Sequence, residues 1–229
     1  MNDSPEGQAK AKSVARAARR ERRRDQSREE ILDAARRILI RGGIAALTLD
    51  AVASEVGMSK TGLYYYFRSK DALVFELVFG VIEEQAQAVE AGVGQAADGG
   101  EALRAIIERT VGAFAPRLDD FRLAFLFAQV AGTGAVQWEG DQFDRVRPLN
   151  ERMLSRAAAL LQAERKDGPS RAAVEPRLMA FLAYLAAIGL LTMKGMVEAM
   201  DDPLLYSDAE LVDGFARVFA AAAAPDRAT

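Results

Sequence analysis

At 229 residues, half of them hydrophobic, the chain can bury a sizeable core in one large domain or two small ones. It has no His and no Cys, which removes Ser-His-Asp and Cys-His nucleophilic machinery and the usual ligands of structural zinc and disulfides. The net charge of −3 hides an asymmetry: residues 1–70 hold 15 Lys/Arg against 9 Asp/Glu, net +6, and the remainder holds 15 against 24, net −9. A phosphate-binding module fused to an acidic regulatory body has this profile. No HExxH, GxSxG or GxxxxGK[ST] pattern occurs, so no catalytic residue, metal ligand or cofactor is assigned. No apolar region of signal-peptide type precedes the first helix, and a cytoplasmic location is expected.

Residues 1–26 lack an apolar face and carry Lys10, Lys12, Arg16, Arg19, Arg20, Arg22, Arg23 and Arg24. This basic arm is expected to be disordered or loosely helical when free. Two readings stand side by side: a solvated tail, or an arm adding phosphate or minor-groove contacts beside a DNA reader. The first helix is expected to start at Ser27, which forms a capping box with Glu30. Ile31, Ala35, Ile38 and Leu39 make its apolar stripe, and Gly42-Gly43 ends it. Thr48 caps a second helix with Leu49, Val52, Ala53 and Val56 inward, and Gly57 makes a turn. Ser59 caps a third helix, anchored one turn apart by Leu63 and Phe67. The three helices need one another to bury a single small core.

At about 100° per residue, Thr61 and Tyr65 point away from Leu63 and Phe67, with Gly62 and Tyr64 flanking them. A glycine inside a helix costs about 1 kcal/mol relative to Ala, which makes sense where backbone must approach a partner closely. Tyrosine hydroxyls bond phosphate oxygens, and Lys60, Thr61 and Lys70 add donors. The alternative, tyrosines packed on neighbouring helices, suits part of Tyr66 and not all three. The candidate DNA-contact set is Thr48, Ser59, Lys60, Thr61, Gly62, Tyr64, Tyr65, Tyr66 and Lys70.

Residues 27 to about 75 resemble the DNA-binding domain of the TetR (tetracycline repressor) family of bacterial transcription regulators. The resemblance is carried by ILDAARRILIRGG, then ALTLDAVASEVGMSKTGLYYYF, then RSKDAL. It covers about a fifth of the chain; the rest resembles the family only in being all-helical and of suitable length.

Ser69 caps a fourth helix from Lys70 to about Ala91, with Leu73, Leu77 and Val81 on one side. Gly92, Gly94 and Gly99-Gly100 read as a loop, followed by a fifth helix, Glu101 to Ala115, stopped by Pro116. A sixth helix starts at Asp119 or Asp120 and breaks at Gly132-Thr133-Gly134. The seventh runs from Asp141 to Arg165 with Pro148 inside, the eighth from roughly Val174 to Met200, and the ninth from the Ser207 cap to about Ala223. The longest apolar run, Leu178 to Met193, falls short of the ~20 residues of a spanning helix, so a buried soluble helix is expected and no membrane partner.

The fold class is therefore all-α: a three-helix helix-turn-helix domain at 27–69 after the arm at 1–26, then a larger helical bundle at 70–229, about nine helices in all. The resemblance implies a small-molecule pocket within the fourth to eighth helices, for which Phe79, Phe114, Phe125, Trp138, Phe143, Met153, Met179, Tyr184 and Met193 are candidates. Any one of them is also ordinary core material. Few charges fall at inward positions, which favours an apolar or neutral ligand. Ala183 and Ala187 keep the eighth helix thin, and Leu211, Phe215, Val218 and Phe219 form a stripe on the ninth. In the family two such helices per subunit pack across a two-fold axis, so these six residues are the candidate dimer interface, against a plain monomer core. The expected function is a ligand-responsive, homodimeric DNA-binding regulator of a palindromic operator, a repressor released by a small inducer. A helix-turn-helix binder without small-molecule input, or an activator, remains open.

Overall fold

The computed structural model describes residues 5–126, 140–164, 174–199 and 206–223. Among them the chain is all-helical, in nine α-helices: α1 (Pro5–Ala46), α2 (Leu49–Glu55), α3 (Lys60–Tyr66), α4 (Lys70–Gly94), α5 (Gly99–Phe114), α6 (Leu118–Phe121), α7 (Gly140–Ala163), α8 (Pro176–Ala199) and α9 (Asp208–Ala223). A single π-helical turn, Arg122–Leu126, continues α6. Two compact units divide inside α4, after Leu77.

In the first unit, Ile31, Ala34, Ala35 and Ile38 of α1, Leu49, Val52 and Ala53 of α2, and Leu63 and Phe67 around α3 are all buried, and α2 packs against both α1 and α3. The expected start at Ser27 is corrected: α1 is already helical from Pro5, so Ser27 and Glu30 lie inside it and form no cap. Ala and Arg, which dominate residues 9–24, are among the best helix formers, and they carry the helix through a pattern that elsewhere opens one. Gly43, at φ 66° and ψ −172°, breaks the helical path where the sequence places an end. Arg37 and Arg41 both bond Glu55 and tie α1 to α2. The hydrogen bond from Arg41, then that from Arg37, lowers the Glu55 pKa.

In the second unit α5 is the central element, packed by α7, α8 and α9. Its Ala102, Leu103, Ile106, Ile107 and Val111 meet Met153, Leu154 and Ala157 of α7 and Met179, Ala180, Ala183 and Tyr184 of α8 in one core. Asp98 caps α5 through the Glu101 N–H at 2.7 Å, which brings Gly99, expected in a loop, into the first turn. A Cβ on Gly99 would stand 2.5 Å from Leu161 Cδ2, so a larger residue at this close approach of α5 to α7 would push Leu161 aside. A second cluster joins Phe114, Leu118, Phe121 and Leu191, with Phe125 stacked on Phe121 at 5.2 Å between ring centres. Pro148 sits inside α7 without ending it.

The 24-residue α8 extends the apolar run beyond Leu178–Met193, to a length and composition that a core helix of a soluble protein also has. Its segment Pro176–Val197 is long and apolar enough to cross a membrane. The helix buries one side in the unit's own core while Leu178, Phe181, Leu182 and Leu185 remain exposed on the other.

Candidate nucleic-acid interface

The helix-turn-helix element is built by two caps and one turn. The Ala51 N–H donates to Thr48 Oγ1 at 3.1 Å, and the Gly62 N–H donates to Ser59 Oγ at 3.1 Å. Each cap satisfies one of the helix's otherwise orphan donors. Gly57, at φ 67°, turns the chain between α2 and α3, and the Met58 N–H donates to Ala53 O at 2.9 Å. Leu63 and Phe67, fully buried, then fix the rotation of α3 about its axis.

That rotation turns Thr61, Tyr64 and Tyr65 outward, Tyr65 most of all at 70% exposure and Tyr64 at 42%. Tyr66 is partly covered and meets Tyr65 edge-on at 5.3 Å. Two tyrosines and a threonine thus share one accessible patch on a helix seven residues long.

The cations are less free than the sequence suggests. Lys60 Nζ donates to Asp50 Oδ2 at 2.9 Å, a hydrogen bond that, with Coulombic attraction from the same carboxylate, holds its pKa above the ordinary lysine value. Lys70 is placed differently from the expected phosphate donor: its ammonium donates to the Ile44 carbonyl at 2.6 Å, just beyond the break in α1, in a partly buried site. It is a clamp between the end of α1 and the start of α4. Thr48 and Ser59 spend their hydroxyls on caps and position α2 and α3.

Gly62 also has an internal reason to be glycine. A Cβ there would lie 2.9 Å from Met58 Cγ and 3.2 Å from Ser59 Oγ. Met58, not singled out from the sequence, covers the start of α3. Arg24 and Arg28 were likewise missed as neighbours of this region. The Arg24 guanidinium lies 5.8 Å from the Tyr65 ring centre, and that of Arg28 lies 5.0 Å from the Phe67 ring centre while pairing with Glu76 at 2.6 Å.

In the second unit, Met153, Met179 and Tyr184 meet in the main core, with Phe79 and Phe125 at its edge; Phe114 belongs to the second aromatic cluster. Burial pushes the Tyr184 phenol pKa up. Phe79 is covered on one face by the Arg145 guanidinium, 4.1 Å from the ring centre. Phe143 and Met193 stand half-exposed, apart from that core, and Trp138 lies outside the described residues. One polar feature escaped the sequence reading. Gln85 on α4 is buried and donates through Nε2 to Thr110 Oγ1 of α5 at 3.2 Å, while its Oε1 is buried without a partner. The signal was available, since Gln85 lies three residues after Ile82 and four before Val89 on the apolar side of α4.

The six dimer candidates divide. Ala183 and Ala187 are fully buried inside their own unit, so the thin face of α8 is used for close packing within the chain rather than displayed. Leu211, Phe215 and Phe219 rest partly on that same core, and Val218 is 65% exposed. The apolar surface that α8 leaves open is the opposite one, Leu178, Phe181, Leu182 and Leu185.

Residues 31–77 match the family model described as bacterial regulatory proteins, tetR family. Over 179 residues, 78% of this chain and 76% of the relative, the sequence is 26% identical to the HTH-type transcriptional regulator EthR of Mycolicibacterium smegmatis. The fold is similar to that of the transcriptional regulator FadR of Bacillus subtilis in complex with stearoyl-CoA, with a TM-score of 0.63, 15% identity, and coverage of 83% of this chain and 96% of that one. It is also similar to AibR in complex with isovaleryl coenzyme A and operator DNA, with a TM-score of 0.60, 16% identity, and coverage of 83% and 96%.

Proposed function

This chain belongs to the TetR family of bacterial transcriptional regulators, and we propose that it acts in the cytoplasm as a homodimeric repressor of a roughly palindromic operator, released by a small, largely apolar inducer. The observation that carries the reading is α3 itself. Capped by Ser59 and locked by Leu63 and Phe67, it holds Thr61, Tyr64 and Tyr65 outward on a helix short enough to enter a major groove. Lys60 exchanges its Asp50 partner for a base edge or phosphate when DNA arrives.

A single reading head touches too few bases for operator-level affinity, so two are held at fixed spacing. The open apolar side of α8, with Val218 and the exposed parts of Leu211 and Phe215 on α9, is the surface that supports this pairing. Small-molecule control is supported by an adaptable core of Met153, Met179 and Tyr184. The acyl-CoA molecules held by two proteins of similar fold point to acyl chains as the first ligand class to try. The signal passes through α4, which follows α3 after a link of three residues and continues into the second unit. A coupling of about 1–3 kcal/mol changes operator affinity about 5- to 150-fold.

The test is selection of binding sites from a random duplex pool, followed by release with stearoyl-CoA, isovaleryl-CoA and the free acids. A two-fold consensus and ligand-dependent release are expected. Failure to enrich any sequence would overturn the DNA-reading assignment. Enrichment without release by any acyl ligand would favour a binder lacking that input. A reporter promoter carrying the selected site separates repressor from activator.

A further inference from the structure

The basic arm is not a loose tail: α1 is helical from Pro5 to its break at Gly43, continuous with the part that carries Ile31, Ala34, Ala35 and Ile38 into the first unit's core. Arg28 lies one turn, three residues, before Ile31 of that buried stripe, and stepping back from it in fours leads to Arg24, Arg20 and Arg16. Arg28 closes over Phe67 and pairs with Glu76. Arg24 stands over Tyr65, the most exposed residue of the reading helix. Arg20 and Arg16 continue outward, both exposed and without an ion pair among the described residues. Successive members of the row are about 6 Å apart along the helix, so it runs roughly 12 Å from Arg24 to Arg16.

Like charges four residues apart on a helix repel and disfavour it. The cost is about 0.2–0.5 kcal/mol per pair, so a counter-charge of similar extent would be favourably bound by a row of three. Duplex DNA presents one charge per about 1.7 Å of axis, which supplies several phosphates along that length. A lipid surface fits less well, because an interfacial helix needs a broad apolar face, and Val14 is the one large apolar side chain between Ser13 and Glu30.

We propose that Arg16, Arg20 and Arg24 form a helical row, held in register with α3 by the continuity of α1, that seats on the phosphate backbone flanking each half-site and adds affinity without reading sequence. The inference rests on the DNA-reading assignment above. The row lengthens the footprint beyond the bases α3 can reach, and its contribution is salt-dependent.

The full chain is tested on duplexes carrying the pool-selected site, either ending at the half-sites or extended by about one helical turn, roughly 10 base pairs, on each side. Wild type should bind the extended duplex at least tenfold more tightly at low salt. The combined Arg16→Gln, Arg20→Gln and Arg24→Gln variant should lose that advantage and select the same consensus. Its log–log salt slope on the extended duplex should be shallower by about 2.7 per protomer, about 0.9 for each of three phosphates. Gln26→Pro, which keeps every charge but breaks the register, should lose the flank advantage too, with thermal unfolding confirming an intact core. Equal wild-type affinity for the two duplexes would overturn the inference while leaving the DNA reading standing; failure of wild type to select any site would remove the premise. A changed flanking consensus in the arginine variant would make the row a base reader. Salt-sensitive binding to phosphatidylglycerol vesicles with no flank effect would assign it to a membrane. Either of the last two results would also overturn it.

Discussion

Leu185→Asp tests the proposed dimer with the least disturbance to the single chain. Leu185 belongs to the open face of α8, where Leu178, Phe181, Leu182 and Leu185 are 37–47% exposed. Fully burying such a side chain contributes about 1.5–3 kcal/mol, so covering the exposed half contributes about 0.7–1.5 kcal/mol each. Four residues on each of two protomers then give roughly 6–12 kcal/mol, comparable to the 4–15 kcal/mol estimated as the cost of association. The face therefore sits near break-even before α9 adds Val218, and small losses on it should tip the balance. Because a two-fold axis applies each substitution twice, Leu185→Asp removes two apolar contacts and buries two carboxylates, a cost of several kcal/mol. A dimer constant weaker by at least about 10³-fold, near 4 kcal/mol, is expected, with helicity unchanged because the side chain already meets solvent. Sedimentation velocity across a concentration series reads the result, and operator binding should fall in parallel. A Leu185→Asp protein that stays dimeric at wild-type concentrations would refute the assignment of this face. Phe215→Asp is the weaker probe, since Phe215 rests partly on its own core and its loss confounds folding with assembly.

Asp50→Asn should raise DNA affinity severalfold at low salt and leave thermal stability near wild type, because it frees Lys60 from an exposed pair and removes a repulsive charge; unchanged affinity would take Lys60 out of the interface. Gly62→Ala should weaken operator binding at least tenfold, and adding Met58→Ala should restore stability but not binding; full recovery in the double variant would mean that Gly62 serves only Met58. Gln85→Leu combined with Thr110→Val should stabilise the protein by about 1 kcal/mol in urea unfolding, since it removes the unpaired buried acceptor together with both partners of the buried hydrogen bond; destabilisation would show that the amide oxygen is satisfied. Lys70→Met should lower stability by about 1–3 kcal/mol by leaving the partly buried Ile44 carbonyl without its donor, whereas a loss of DNA affinity at unchanged stability would return Lys70 to the phosphate set.

Local chemistry was legible from the sequence wherever one residue fixes its own neighbourhood. Thr48, Ser59 and Ser69 each accept the N–H three residues on, as a capping residue followed by a periodic apolar run requires. Gly43 and Gly57 hold the positive φ that marks the ends of α1 and α2. Leu63 and Phe67 sit in the core because their spacing leaves no other common face. Ser27 shows the limit of this logic. A capping box is a local preference, and it yields when the residues before it favour helix strongly enough to extend the ladder through it.

The rest depended on partners distant in sequence. Nothing near Lys70 indicates that its ammonium will meet a carbonyl 26 residues earlier. Nor does the Ala183/Ala187 pattern say whether close packing happens within a chain or between two. The spacing specifies a thin helix face, and the tertiary fold supplies α5 and α7 to fill it. Once that side is occupied, the larger residues Leu178, Phe181, Leu182 and Leu185 are left on the outside, against the tendency of large apolar side chains to be buried first. A soluble monomer gains nothing from displaying four adjacent apolar residues on a helix of membrane-spanning apolarity. The inversion of small inside and large outside is what the proposed second protomer would resolve, and it would place assembly on the same helix that helps to close the second unit's core.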